Sequence, residues 1–599
     1  MKKSKHFRGN IPLFIFILLL GLTKLAAQGI TSGEVKDNVG VPLPGVTVYI
    51  DGTTTGVVTD IDGVYEITTT VGDILTYSYL GFKTTKRNVT ASPSTINVVL
   101  EEDTEQLDEV VVVGYGTQKK KEVTGAVAKV DGSEIIKTAV SDLGAAIQGK
   151  VAGVNIQAAS GRPGEAANVQ IRGLGSISTS ALGPLYVVDG IPYEGNPNIA
   201  PEQIETIDIL KDGAAASVYG TRASNGVILI TTKKGSVGKM KIDFSTYTGI
   251  QNITSGTPLM NTTEQLYNLE VTTEQLGNEP LTFFFGPNAL DFDSDFVSEV
   301  QNDNAIIQSA NLNISGGVEN LTLNFATNYF KQDGVLINSG FDRLSSRLTG
   351  QYTKGKFKAF ATFGYTIENR EQEPWALYEY GIAQAPWSRP LGDIPSIGEN
   401  SVTLDVDNDI LYSFLSRQLD NIDERETKSF NVALNLEYEL AKGLKYKINL
   451  GRNEFNYFRK FFRPQYLAFS ATGEYNATAS NPQALLDEDY VFSNRESIEN
   501  IVNYSTNFGK HNFNVLGVLS YEKFQQRNLS VGVVFSEEAS NEIQTLGAGS
   551  EAIKPTSFNQ TTTLSGKLAR VQYNYDEKYL LSASYRRDGS SKFSDENRY

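Results

Sequence analysis

The side chains that most often carry chemistry are scarce in this 599-residue chain. There is no cysteine, and the two histidines are His6 and His511. His6 lies in an N-terminal stretch expected to be removed, so a Ser-His-Asp triad or a histidine-bound zinc would rest on His511 alone. Its neighbours Lys510, Asn512 and Phe513 read as a turn entering a strand. Two further patterns imitate ligand-binding loops. Asp60-Ile-Asp62-Gly63 looks like the start of a calcium loop, but the third oxygen position and the distal helical Glu are missing. A hairpin turn with Gly63 at positive φ is the simpler reading. Gly144…Gly149-Lys150 imitates a phosphate loop, with Val151 where Ser or Thr is needed and no strand ahead of it. Without Cys there are no disulfides, thiolate nucleophiles or thiolate metal sites. Carboxylates remain, but they are spread with no catalytic pair among them. The chain is read as no enzyme, with no metal site and no cofactor.

The compartment is set by the first residues. Lys2, Lys3, Lys5 and Arg8 precede an apolar stretch from Ile11 to Leu22, and Leu25-Ala26-Ala27-Gln28 offers small residues for cleavage. That stretch is short for a spanning helix, which needs about 18 or more residues, so residues 1–27 are expected to be a secretory signal peptide. The net charge of −16 becomes more negative once this basic leader is gone. So acidic a chain is a poor partner for nucleic acid, which needs clustered Lys and Arg. No later segment supplies 18 consecutive apolar residues, yet the chain holds 29 Tyr and 30 Phe. Exported, acidic and aromatic without apolar helices is the composition of an outer-membrane barrel in contact with lipid.

These residues must be positioned by β-structure throughout. Over residues 28–101, the runs Val46–Ile50, Val64–Ile67, Ile74–Tyr79 and Ile96–Leu100, bounded by Gly, Pro and Asp, predict a small β-sandwich. Residues 102–121 change character. Acidic residues lead through Asp108 and Glu109 into Val110-Val111-Val112-Val113, then Gly114-Tyr115-Gly116 and Lys119–Lys121. Such a Val run is either a core strand of a neighbouring domain or, on a tether, a strand awaiting a partner. Residues 122–236 read as mixed α/β: a helix over Ser141–Gln148 and strands at Val154–Gln157, Asn168–Arg172, Leu185–Val188, Ile204–Leu210 and Gly226–Thr232.

From residue 237 to 599 apolar residues recur at every second position, as in Asn320–Ala326, Lys356–Phe363 and Ser429–Glu437. Roughly eleven such segments are present, the pattern of transmembrane barrel strands; a soluble sandwich shares the period. Glu371–Glu426 and Phe458–Glu499 lack it and are expected to be long outer loops. Trp375 and Trp387 lie in the first, placed either to stack on a sugar or peptide ring or to pack inside the loop. Arg172, inside a predicted strand, either latches onto a barrel carboxylate, since an unpaired buried charge is unfavourable, or faces a wet lumen.

Several motifs make this architecture resemble one family. Pro42–Val46 with Thr59–Tyr65 is similar to the carboxypeptidase-regulatory-like domain. Asn168–Gly173, Pro184–Pro192, Ile204–Gly213, Val218–Gly220 and Gly226–Gly235 resemble the plug of SusC/RagA TonB-linked outer-membrane proteins. Val110–Gly116 is similar to that family's TonB-box region, and Tyr585–Phe593 to one of its barrel motifs.

The resemblance implies a mainly β protein: a regulatory-like sandwich, a plug, and an antiparallel transmembrane barrel, here incomplete. It further implies a TonB box at Asp108, Glu109, Val110, Val111, Val112 and Val113, pulled by TonB with ExbB/ExbD. A SusD-like surface lipoprotein as lid, a glycan or peptide cargo, and a periplasmic sandwich and box complete the expectation. Plugged importers have about 22 strands, so the eleven expected here predict an N-terminal part of a longer protein. A surface enzyme and a binding receptor or adhesin without transport are the rival readings.

Overall fold

The computed structural model describes residues 29–596 apart from 54, 80, 102–109, 120–121, 124, 139, 159, 174, 176–182, 194, 255–257, 277–291, 375–376, 389, 391–395, 399–400, 405–418, 471–472, 478–479 and 595. The expected leader and the expected box residues Asp108 and Glu109 lie outside that set, as does Trp375. The chain divides into two units, residues 1–109 and residues 110–599.

The first unit holds two four-stranded sheets. One is built on Gly29–Asp37, paired with Val64–Thr69, Ser94–Thr95 and Val98–Leu100; the other runs Gly56–Val58, Thr47–Ile50, Ile74–Ser78, Thr85–Asn88. Val35, Val46, Val48, Leu75, Tyr77 and Leu100 form its core, the inward half of a period-two pattern. The calcium-like sequence is a turn: Gly63 has φ 74°, and the Asp60 carboxylate accepts from the backbone N–H of Asp62 and Val64.

The second unit begins with a plug. Its five-stranded sheet has the order Val127–Asp131, Ile204–Leu210, Val227–Thr232, Leu185–Val188, Ile191–Tyr193, with the pair Val154–Gln157 and Asn168–Ile171 beside it. Leu185–Val188 and Val227–Thr232 run parallel and are near-continuous apolar strands, as expected where both sheet faces are covered. The predicted helix shrinks to Leu143–Ala146, capped by Asp142, whose carboxylate accepts the Ala145 N–H at 2.8 Å.

Eleven antiparallel strands follow in strict chain order, from Gly238–Gln251 at one edge to Tyr579–Ser590 at the other. Short turns close one end, for example between Lys354 and Phe357 and between Phe508 and His511. At the other end the connections are long, such as 372–421 and 464–484. Apolar side chains face outward: Leu323, Phe325, Phe363, Val502 and Val515 are all exposed. Asn324, Asn328, Arg343, Arg347, Thr349 and Glu499 point the other way and are buried. A soluble sandwich would show the reverse, so the sheet is a transmembrane wall with a polar interior. Exposed tyrosines lie in two rows, Tyr352, Tyr438 and Tyr504 near the short turns and Tyr329, Tyr365 and Tyr521 further along, as interfacial girdles do.

The stretches expected to be loops are partly strand. Ile422–Ala441, Leu444–Arg463 and Leu485–Phe508 carry ladder pairing well into residues 422–426 and 458–499. At ~3.4 Å per residue, a strand of 24 residues far outreaches the ~25 Å apolar band. Beyond that band both faces are wet, so alternation disappears while backbone pairing continues.

Candidate coupling site between plug and strand wall

The Val run folds as one arm of a hairpin. Val110–Val113 pairs antiparallel with Gly116–Lys119, from Val113 opposite Gly116 to Val110 opposite Lys119. Gly114 and Tyr115 form the two-residue turn, with Gly114 at φ 64°. Glycine at the first turn position is what a tight primed turn requires. A Cβ there would also approach Val218 Cγ1 to 2.8 Å. Val111 is fully buried, and Val112 and Tyr115 pack on a cluster that joins plug residues Leu185, Leu210 and Val218 to wall residues Leu516, Val518 and Leu568. Among the described residues the second edge of Val110–Val113 carries no ladder partner.

Two tyrosines tie the turn down. Tyr115 donates its hydroxyl to Glu499 Oε1 on the wall at 2.9 Å, and Tyr219 donates to the Gly114 carbonyl at 3.0 Å. Their rings lie 5.8 Å apart. Asn449 donates to the second Glu499 oxygen at 2.9 Å, so both oxygens of this buried carboxylate are used. Burial, and next the Glu499 charge, push the Tyr115 hydroxyl well above its ordinary range, which keeps it a donor at physiological pH. Burial does the same for Tyr219.

Further ties join plug and wall. Arg222 meets Glu522 at 2.7 Å, and the same oxygen binds Arg495 of the wall. Arg162 pairs with Glu373, Arg343 donates to the Ser141 carbonyl at 2.8 Å, and Gln203 donates to Ser345 Oγ at 3.1 Å.

Residues 119–227 match the TonB-dependent Receptor Plug Domain, and residues 31–112 match the CarboxypepD_reg-like domain. TonB-dependent receptor P3 of Formosa agariphila is 32% identical over all of this chain and 58% of its own length. The chain is similar along its whole length to TonB-dependent receptors and carries their plug domain. TonB-dependent receptor SusC of Bacteroides thetaiotaomicron is 28% identical over the whole of this chain and 60% of its own. The chain thus spans somewhat less than two thirds of these two relatives. It shares its fold with the RagAB peptide importer in the open-open state, at a TM-score of 0.69 and 24% identity, over 82% of this chain and 57% of that one. The family's members are outer-membrane β-barrel proteins, in agreement with the apolar outer face of the wall.

The remaining sequence candidates are scattered through the chain. Arg172 lies one residue past the strand Asn168–Ile171, at φ 58°, and is exposed. Among the described residues it makes no ion pair, because the left-handed backbone turns it out of the strand's alternation. Among the described residues, Arg222 meets Glu522 of a wall strand and Arg162 meets Glu373 of the connection 372–421. Arg222 was legible only as an arginine in a short turn between Gly220 and Gly226. Trp387 is half-buried in a turn that follows the helix Leu377–Ala383. His511 opens a wall strand and bonds the Tyr573 hydroxyl at 2.8 Å, a structural contact. Among the described residues no group of three or more His, Cys, Asp or Glu is arranged to hold a metal ion.

Proposed function

We propose that this receptor is a TonB-driven importer of the outer membrane that takes up oligosaccharides or peptides with a SusD-like lipoprotein at the surface. The carrying observation is the Val110–Val113 arm, paired on one edge and tethered through Tyr115 to the wall. An outer membrane has neither ATP nor an ion gradient to open a plugged barrel, so the work must be delivered as force. In this reading residues 108–113 are the TonB box. TonB adds a strand to the free edge, and the main-chain hydrogen bonds so formed resist pulling. ExbB and ExbD supply the energy from the inner membrane. The sandwich and box lie in the periplasm, and the long strand connections face outward. The plug ties at Glu522 and Glu373 hold the path closed until the box is pulled. The peptide cargo named for RagAB makes peptides one candidate class.

Deleting Asp108–Val113 from the complete protein tests this. Uptake of labelled cargo is expected to vanish while surface binding stays unchanged. Uptake that survives the deletion would mean a receptor or adhesin that needs no coupling strand.

A further inference from the structure

At the end of the wall with long connections, plug and wall enclose a cavity of about 450 Å³. That volume lies within the usual range for small-ligand sites. From the plug it takes Arg162 and Glu165; from the wall, Arg370, Asp423, Arg425, Arg459 and Phe461. Gly164 brings the plug loop against the wall: at φ 67° it lies on the Phe341 ring, where any Cβ would overlap the aromatic carbons.

The guanidinium groups here are matched unevenly by carboxylates. Arg425 and Arg459 both grip Asp423, Arg425 at 3.0 Å and Arg459 at 2.9 Å, and Arg459 has Asp489 as a second partner at 3.5 Å. Arg370 donates to the Gly164 carbonyl and lies over Phe341 at 5.8 Å, with no carboxylate in ion-pair contact among the described residues. Glu373 is taken by Arg162, and Glu165 by Ser160. Arg459 also covers the Phe461 ring at 5.2 Å, which fixes the plane of its fork. Forked guanidinium groups held flat in a partly dry recess match a carboxylate in geometry as well as charge.

We propose that this cavity is a subsite for a carboxylate group of the cargo, held by Arg370, Arg425 and Arg459. This rests on the importer reading for the meaning of cargo, though not for the binding itself. A neutral glycan would have no use for such a recess. An acidic cargo would, because the chain's net charge of −16 repels anions and screening confines that repulsion to about 8 Å. The forked donors of Arg370, Arg425 and Arg459 line the recess at that range.

The test measures binding to the purified complete protein, without TonB, so a failure of energy coupling leaves it untouched. The probes are hexaglutamate and hexagalacturonate, with hexaglycine and maltohexaose as neutral controls. At least one acid is expected to bind, and its affinity to fall about tenfold or more in Arg425→Gln/Arg459→Gln and in Arg370→Gln. Arg425→Lys/Arg459→Lys, which keeps the charge and reports on folding, is expected to recover part of the loss. Binding of hexaglutamate alone assigns a peptide source, and of hexagalacturonate alone a sugar-acid source. Neutral probes that bind as tightly as the acids would overturn the proposal. So would the absence of acid binding, or acid binding that the glutamine variants leave unchanged.

Discussion

In the plug strand Leu185–Val188 all four residues are buried, and every one of them is apolar or Tyr. In the wall strand Leu321–Asp333, Asn324 and Asn328 are buried while Leu323 and Phe325 face out. The same period-two backbone therefore excludes water from carbon in one region and gathers polar groups in the other. The difference is the medium on the far side. The plug is surrounded by protein and needs an apolar core, whereas the wall meets lipid outside and the plug inside. The seam between them is neither pure type: Val218, Leu516 and Leu568 pack together beside the Tyr115–Glu499 hydrogen bond.

The sharpest way to break the contrast is at the polar seam. Glu522→Ala would leave Arg222 and Arg495 facing each other without their shared carboxylate. Loss of a partner from a buried ion pair is worth about 3–5 kcal/mol. The plug is expected to become protease-sensitive, while the wall keeps its heat-shifted gel mobility. A smaller effect is expected on the outer face. Val502→Arg places a charge among lipid-facing side chains and should lower folding stability in bilayers by about 2–4 kcal/mol if Val502 lies near the midplane. Denaturant titration in lipid vesicles measures it, and an effect near zero would argue that this face is wet. The mildest change is Tyr115→Phe, which removes one hydrogen bond to a buried carboxylate, about 1.5–3 kcal/mol. It is expected to raise the reactivity of Val112→Cys toward a thiol reagent, with wall stability unaltered.

Much of this arrangement was legible because water and lipid impose simple periods. The number of wall strands follows from alternation alone, and Leu185–Val188 and Ile204–Leu210 stand at their predicted bounds. Two kinds of feature were not legible. Strand length above the bilayer leaves no apolar signature, so Leu485–Phe508 reads as a loop as far as Glu499. Partners hundreds of residues apart, such as Arg222 with Glu522, are fixed by docking of the plug and by no local pattern. The Val110–Lys119 hairpin falls between these cases. Four valines announce a strand, and the glycines of Gly114-Tyr115-Gly116 mark only its flank. Only the three-dimensional packing shows that Gly116–Lys119 fills one edge.

That hairpin also has a mechanical character. Its open end lies at Val110 opposite Lys119, and its closed end is the Gly114–Tyr115 turn. A tug arriving from upstream of Val110 meets the ladder rung by rung, as a zipper, and never has to shear all the rungs together. Peeling is the low-force mode, so the arm yields to a weak, steady pull before any load reaches the Tyr115 and Tyr219 anchors. Peeling residues 110–114 frees roughly 16–18 Å of chain, at ~3.3–3.6 Å per residue, before the load reaches Tyr115. The segment thus behaves as a compliant leader ahead of a stiffer latch, and a pull must persist over that distance before the plug feels it.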